Sequence, residues 1–234
     1  MKQLLKLLFD KYNLSYTQEQ IDKLDCFYNM VIETNKLFNL TAITEKKEFA
    51  IKHILDSVLP IAYLPQNACL IDIGAGAGFP SIPVKILRPD LKITMLDSLN
   101  KRVIFLNDVI EKLNLENILA VHSRAEDYAT SNRECFDVAL SRAVANLTTL
   151  CEYCLPFVKV GGIFVAYKGS GAQEELLNAN YAINLLGGCL EDTQSVIIDE
   201  IESKRENFII KKIKPTPNNY PRGKNLPRLK PILK

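Results

Sequence analysis

The chain has 234 residues, of which 47% are hydrophobic, 24% charged and 8% aromatic, the composition of a globular protein with one sizeable core, so a disordered, collagenous or coiled-coil chain is excluded. Its 29 Lys and Arg against 27 Asp and Glu leave a formal charge of +2, too small to mark the whole molecule as a polyanion binder. No apolar run approaches the ~20 residues of a membrane span, and the apolar patch at residues 4–9 is cut by Lys6 and closed by Asp10, too short for a secretory leader. The expectation is a cytoplasmic protein with no membrane partner, acting as a monomer.

In chain order, residues 1–64 read as helical. Ile21, Leu24, Phe27, Tyr28, Val31 and Ile32 follow the 3.6-residue period, and Ile51, Ile54, Leu55, Val58 and Leu59 do so again before Pro60. Between them, residues 35–44 form a polar and aromatic connector containing Asn39-Leu40-Thr41, where a chain reversal or surface loop is expected. After Pro65 short apolar runs at 68–73, 92–96, 118–121, 136–140 and 163–167 read as strands, alternating with helical stretches at about 80–88, 99–114, 145–155 and 171–181. That alternation predicts an α/β fold with a parallel sheet and helices on both faces, binding ligands beyond the carboxyl ends of its strands.

Two further runs, 195–201 and 208–213, are close enough to pair as an antiparallel hairpin. The last segment holds prolines at 215, 217, 221, 227 and 231, which predicts an extended, weakly packed tail. The reading therefore divides the chain into an N-terminal helical extension (1–64), an α/β domain (65–214) and a basic Pro-rich tail (215–234). Residues 203–234 carry ten basic side chains and one acid, a net of +9 that leaves the rest of the chain negative.

Six cysteines lie scattered among apolar neighbours, as reduced and mostly buried thiols would. Cys151 and Cys154 form a CxxC, but a zinc site needs four ligands and there is no second CxxC and only two histidines, His53 and His122, so no metal is expected.

The strongest local signal is Leu70-Ile71-Asp72-Ile73-Gly74-Ala75-Gly76-Ala77-Gly78-Phe79-Pro80, an apolar strand followed by alternating glycines and a helix start. Gly74, Gly76 and Gly78 let the backbone turn sharply and approach a ligand, while the helix start presents unpaired amides. A nicotinamide fingerprint would need a third glycine where Phe79 stands, so that reading fails. The next strand ends at Asp97, placed to hold ribose hydroxyls or to cap the following helix. After the third strand comes Ser123-Arg124-Ala125-Glu126, with Glu126 either at a ligand edge or a solvated loop acid.

Arg124 and Arg142 each follow a serine at a predicted strand end on the ligand edge of the sheet, and Lys168 ends the fifth strand. Such cations bind phosphate or guanine O6, or else close salt bridges between loops. Arg222, Lys224 and Arg228, with Lys230, are spaced among the tail prolines as a phosphate-tracking segment would be. Lys101 and Arg102 at a helix start oppose the helix dipole and hint at an anionic partner.

The DxGxGxG loop resembles motif I of S-adenosylmethionine-dependent methyltransferases, which implies the Rossmann-like class I sheet with S-adenosyl-L-methionine as cofactor and the adenine edge read after the third strand. Over nearly the whole chain the sequence resembles the RsmG family, also called GidB or glucose-inhibited division protein B. The resemblance rests on Asn39-Leu40-Thr41-Ala42-Ile43, His53-Ile54-Leu55-Asp56-Ser57, the glycine loop with Phe79-Pro80-Ser81-Ile82-Pro83, Asp97-Ser98-Leu99-Asn100-Lys101-Arg102, Ser123-Arg124-Ala125-Glu126, Ser141-Arg142-Ala143 and Tyr220-Pro221-Arg222. The combination in this order is specific, although Asn100 and the residues after Arg222 depart from the commoner family pattern.

The resemblance implies methylation of guanine N7 in 16S ribosomal RNA on the assembled small ribosomal subunit, with cofactor contacts at Gly74, Phe79, Ala125, Glu126 and Arg142, and leaves open whether naked RNA suffices. Guanine N7 carries an in-plane lone pair and no proton, so the reaction needs positioning and no general base. Accordingly no catalytic residue is assigned with certainty, and Arg142 and Arg124 are the candidates. The rival readings are a methyltransferase acting on another RNA, and a non-catalytic RNA-binding ribosome assembly factor, which need not bind the cofactor.

Overall fold

In the computed structural model, residues 1–142, 145–169 and 171–233 are described, and Ala143 of the Ser141-Arg142-Ala143 motif lies outside them. The strands β1 (Cys69–Ile73), β2 (Lys92–Asp97), β3 (Ile118–His122), β4 (Phe136–Arg142), β5 (Val158–Lys168), β6 (Gly188–Ile198) and β7 (Ser203–Lys212) form one sheet in the order 3-2-1-4-5-7-6. The first five are parallel, and β7 runs antiparallel to both β5 and β6. The direction of strand progression reverses between β1 and β4, so the crevice at their carboxyl ends is the switch point where α/β sheets bind ligands.

Successive residues of β1 serve opposite faces, as the period of a strand requires. Leu70 joins one apolar cluster with Phe27, Phe49 and Ile82, and Ile71 joins the other with Leu147, Phe157 and Phe164. The first cluster is built largely by the N-terminal helices α1 (Lys2–Lys11), α2 (Gln18–Asn35), α3 (Lys46–Phe49) and α4 (Asp56–Val58), the last two joined through a wide π-helical turn at Ala50–Leu55. Helix α2 starts at a reciprocal cap: Thr17 Oγ1 accepts from the Gln20 amide at 3.2 Å and Gln20 Oε1 from the Thr17 amide at 2.8 Å. Its buried Ile21, Leu24, Phe27 and Val31 match the expected stripe.

Helices α5 (Ser81–Leu87) and α6 (Asn100–Lys112) follow β1 and β2, the short α7 (Ala125–Tyr128) follows β3, α8 (Leu147–Cys154) follows β4, and α9 (Ala172–Leu185) follows β5. Among the described residues no helix is long and apolar enough to cross a membrane.

Three expectations need correction. Strand β6 begins at Gly188, well before residue 195, because it is a mostly exposed edge strand whose Leu190-Glu191-Asp192-Thr193 stretch has no apolar alternation. Only Cys151 and Cys154 of the six cysteines are buried, while Cys26, Cys135 and Cys189 are exposed. The tail is not weakly packed. Arg133 donates to the carbonyls of Thr216 (2.8 Å), Pro217 (3.3 Å) and Tyr220, and Pro227 is buried in the short helix α10 (Leu226–Leu229). Buried Lys212 donates to Leu155 O at 2.6 Å and Thr216 Oγ1 at 2.5 Å, and its burial lowers its pKa to about 8. The prolines stiffen a strap whose carbonyls the body of the protein hydrogen-bonds.

Candidate functional site

The carboxyl ends of β1 to β4 open onto a cavity of about 530 Å³. Its floor is the turn after β1, where Gly74, Gly76 and Gly78 all adopt left-handed φ values of 78°, 58° and 96°, a region that side-chain-bearing residues disfavour. The amides of Gly74 and Ala75 donate to Leu96 O at 2.8 and 3.1 Å, which locks the turn onto the end of β2.

Asp97 completes that lock. It is 3% exposed, and its Oδ2 accepts from the Gly76 amide at 2.9 Å, its Oδ1 from the Leu99 amide at 2.9 Å. Helix α6 has Leu99 at its N-cap and no side-chain cap, so the capping alternative for Asp97 is replaced by a brace on the glycine loop. The Asp97 carboxylate still lines the cavity and keeps acceptor capacity, since each oxygen can accept two bonds. Arg102 Nη1 lies 3.5 Å from Oδ2, and Arg102, near the start of α6, lines the cavity with a buried Nε that has no partner among the described residues.

The three glycines divide their work. A Cβ built at Gly76 would meet nothing closer than Gly74 O at 3.9 Å, so this position stands open beside the cavity it lines. At Gly78 a Cβ would meet Ile82 Cγ1 at 2.7 Å and Phe27 Cζ at 3.3 Å. Gly78 is buried on the core side and does not line the cavity, so its expected ligand contact is corrected to a packing role. Beneath the turn Asp72 is fully buried. Ser81 Oγ donates to its Oδ2 at 2.7 Å, Oδ1 has no partner among the described residues, and burial raises its pKa to about 7.

One wall is an aromatic and cationic stack. The His53 ring lies on Phe79 at 4.4 Å and 13°, and the Arg142 guanidinium sits 5.2 Å from the Phe79 centroid. Arg142 Nη1 donates to Lys52 O and Asp56 Oδ2, both at 2.9 Å, and Nη2 donates to His53 Nδ1 at 3.0 Å. Nδ1 is therefore the acceptor nitrogen, and Nε2–H donates to Thr41 Oγ1 at 2.7 Å. Burial, then the Arg142 charge, lowers the His53 pKa to about 3, so the ring is neutral. Among the described residues these are its bonds, which leave the Arg142 Nε–H and one Nη2–H for a ligand.

At the other end Ala125 and Glu126 open α7. Glu126 is 8% exposed and accepts from the Asn225 amide at 3.3 Å, so it is no solvated loop acid. Arg124 is 58% exposed at the rim, with Nη1 3.7 Å from Glu126 Oε1. Tyr153 and Asn225 close this end, joined by a 3.3 Å hydrogen bond from the Tyr153 hydroxyl to Asn225 Oδ1.

The expected RNA contacts separate. Arg124 and Arg228 line the cavity, and Lys224 is exposed. Lys168 is held by Ala145 O at 2.9 Å and Glu175 at 2.7 Å and does not line the cavity. Arg222 makes a bidentate pair with buried Glu152, Nε to Oε1 at 2.8 Å and Nη2 to Oε2 at 2.6 Å. For these two the salt-bridge alternative describes their placement, because a buried or half-buried partner carboxylate claims the charge.

Leu40, Thr41, His53, Tyr153 and Asn225 line the cavity without having been assigned a role from sequence. The first three fall within the resemblance motifs, so their recurrence was visible and their function was not; Tyr153 and Asn225 carry no local signal. No nucleophile is poised here: Cys151 and Cys154 are fully buried, and burial pushes both thiols up. What the cavity offers is a backbone cradle, the carboxylates of Asp97 and Glu126, and four arginines, Arg102, Arg124, Arg142 and Arg228, an arrangement that binds and orients.

A model of the GidB family, described as rRNA small subunit methyltransferase G, matches residues 20–209. Ribosomal RNA small subunit methyltransferase G of Desulforamulus reducens is 48% identical over 232 residues, covering 97% of each chain. The protein of the same name from Lactobacillus johnsonii is 44% identical over 228 residues, covering 95% of each. Among solved structures, M. jannaschii TYW2 in complex with AdoMet aligns with a TM-score of 0.56 at 13% identity, covering 75% of this chain and 81% of that one, a likeness of fold.

Proposed function

The chain belongs to the GidB family of small-subunit ribosomal RNA methyltransferases, and from that premise we propose that it is an S-adenosylmethionine-dependent enzyme that methylates N7 of one guanine in 16S ribosomal RNA, within the small subunit. The observation that carries this reading is the alignment of Asp97, at the end of β2, and Glu126, at the start of α7 after β3, along one cavity floored by Gly74 and Gly76. The open space at Gly76 is a cradle that a Cβ would fill, which fits close backbone approach of a cofactor.

Gly74, Gly76 and Phe79 would hold the cofactor's amino-acid end, Asp97 its ribose hydroxyls, and Ala125 with Glu126 its adenine. When bound, S-adenosylmethionine supplies a methyl group on a positively charged sulfur. The protein's own share is alignment and charge. Neutral His53 and Phe79 present an apolar, water-excluding face, and Arg142 is aimed by Asp56 and His53 with two donors remaining. Arg124 at the rim and Arg228 from the strap supply positive charge where RNA phosphate or guanine O6 would arrive. Arg142, beside Phe79, would stand at the cofactor's amino-acid end, Arg124 would stand beside Glu126 at the adenine end and rim, and neutral, fully bonded His53 is a positioning residue. No group acts as a base, as attack by the N7 lone pair requires.

The test is transfer of a labelled methyl group to small subunits purified from a strain lacking this protein, followed by mapping of the modified nucleotide. One N7-methylguanine is expected. Transfer to another base, or none in the presence of bound cofactor, would overturn the substrate reading.

A further inference from the structure

We propose that Asn225, carried on the C-terminal strap, pairs with Glu126 to recognise the adenine of the cofactor, so that the strap is a wall of the binding site and its docking is coupled to cofactor binding. This rests on the reading of the cavity as an S-adenosylmethionine site. The strap reaches the cavity with Asn225 and Arg228, on the side where Glu126 stands. The Asn225 amide donates to Glu126 Oε1 at 3.3 Å and thereby orients that carboxylate. The Asn225 side-chain oxygen is taken by the Tyr153 hydroxyl at 3.3 Å, which leaves Nδ2 as a donor. An acceptor carboxylate beside a donor amide complements the edge of adenine, whose exocyclic amine donates and whose adjacent ring nitrogen accepts. Hypoxanthine, with an oxygen in place of the amine, reverses that pattern.

The strap is built to hold this position. Lys224 and Asn225 are consecutive residues in the left-handed region, φ 56° and 58°, a conformation that Asn tolerates but that disfavours Lys and is held where surrounding contacts impose it. Those contacts lie on both sides. Arg222 is gripped by Glu152, Arg222 Nη2 also donates to Lys230 O at 2.8 Å, and Thr149 Oγ1 donates to Pro227 O at 3.0 Å. Since the strap contributes atoms to the cavity, whatever a bound ligand gains from it must also stabilise the docked strap, by the reciprocity of linked equilibria. Arg228 is thereby held in the cavity lining, with Lys224 and Lys230 exposed on the same strap.

The experiment is calorimetric titration of the full chain, of a chain ending at Gly223, and of full-length Asn225→Gly with S-adenosylhomocysteine and its inosine analogue. Ending at Gly223 retains the Arg133, Lys212 and Arg222 anchors, and Asn225→Gly keeps the backbone N–H and the left-handed φ while removing the side-chain amide. The full chain should favour the adenosine form. The shortened chain should bind it about tenfold or more weakly, and Asn225→Gly should lose most of the preference over the inosine form with its circular dichroism unchanged. Equal affinity and equal preference in Asn225→Gly would overturn the proposal. Failure of the full chain to bind S-adenosylhomocysteine at all would instead overturn the cofactor reading beneath it.

Discussion

The cavity has two walls of opposite origin. The glycine loop lies within a single strand-turn-helix unit, its backbone tied to the neighbouring strand by Leu96 and Asp97. The strap arrives from the end of the chain and is held by partners 70 to 99 positions away, Glu152, Thr149, Tyr153 and Glu126. The first wall is shaped by backbone sterics, the second by side-chain pairing. A cofactor site can therefore be half encoded in a short motif and half in contacts no motif contains.

That contrast can be broken at graded cost. Gly78→Val drives a side chain into Ile82 and Phe27 at a positive φ, and should cost about 3 kcal/mol or more, read as a large fall in melting temperature. Glu152→Ala removes the bidentate partner of Arg222. Because Glu152 is buried but Arg222 is 27% exposed and regains some water, the expected loss is nearer ~2 kcal/mol. Trypsin should then cut the strap at Arg222 and Lys224 faster, with the core still resistant. Gly76→Ala should cost only about 1 kcal/mol of stability, yet abolish S-adenosylhomocysteine binding. Unchanged binding would remove the cradle from the site.

Titrations test the comparison through the slope of stability with pH. The folded chain holds Asp72 protonated up to about pH 7, against an ordinary value of 3.8, so its contribution to stability is present below 3.8 and is lost as pH rises through 7. His53 behaves oppositely: with its pKa lowered from 6.5 to about 3, its contribution is present above 6.5 and is lost as pH falls toward 3. Asp72→Asn should flatten the loss of melting temperature between pH 4 and 7, and His53→Gln should flatten the loss on acidification. Unaltered slopes in the two variants would show that other groups govern both limbs.

The alternating strands, the ligand edge at their carboxyl ends and the glycine loop were legible because each depends on periodicity or on φ values that only a few neighbouring residues decide, whereas the strand order that sets the switch point was not. Asp97 and Glu126 were legible for the same reason, standing at the end of β2 and just after β3, strands whose positions follow from the apolar runs. Strand β6 was missed because an exposed edge carries little apolar pattern, and the tail was misread because its prolines signal an extended backbone without saying what grips it.

The sequence by itself determined the parallel sheet, its crevice and the residues along the crevice floor, since a strand's end and a glycine's conformation are local matters of sterics. Only the tertiary structure decided which cations line the cavity. Arg124 and Arg228 face the cavity while Lys168 and Arg222 are claimed by Glu175 and Glu152, because an ion pair forms between groups that the folded chain, and not their spacing along it, brings within reach.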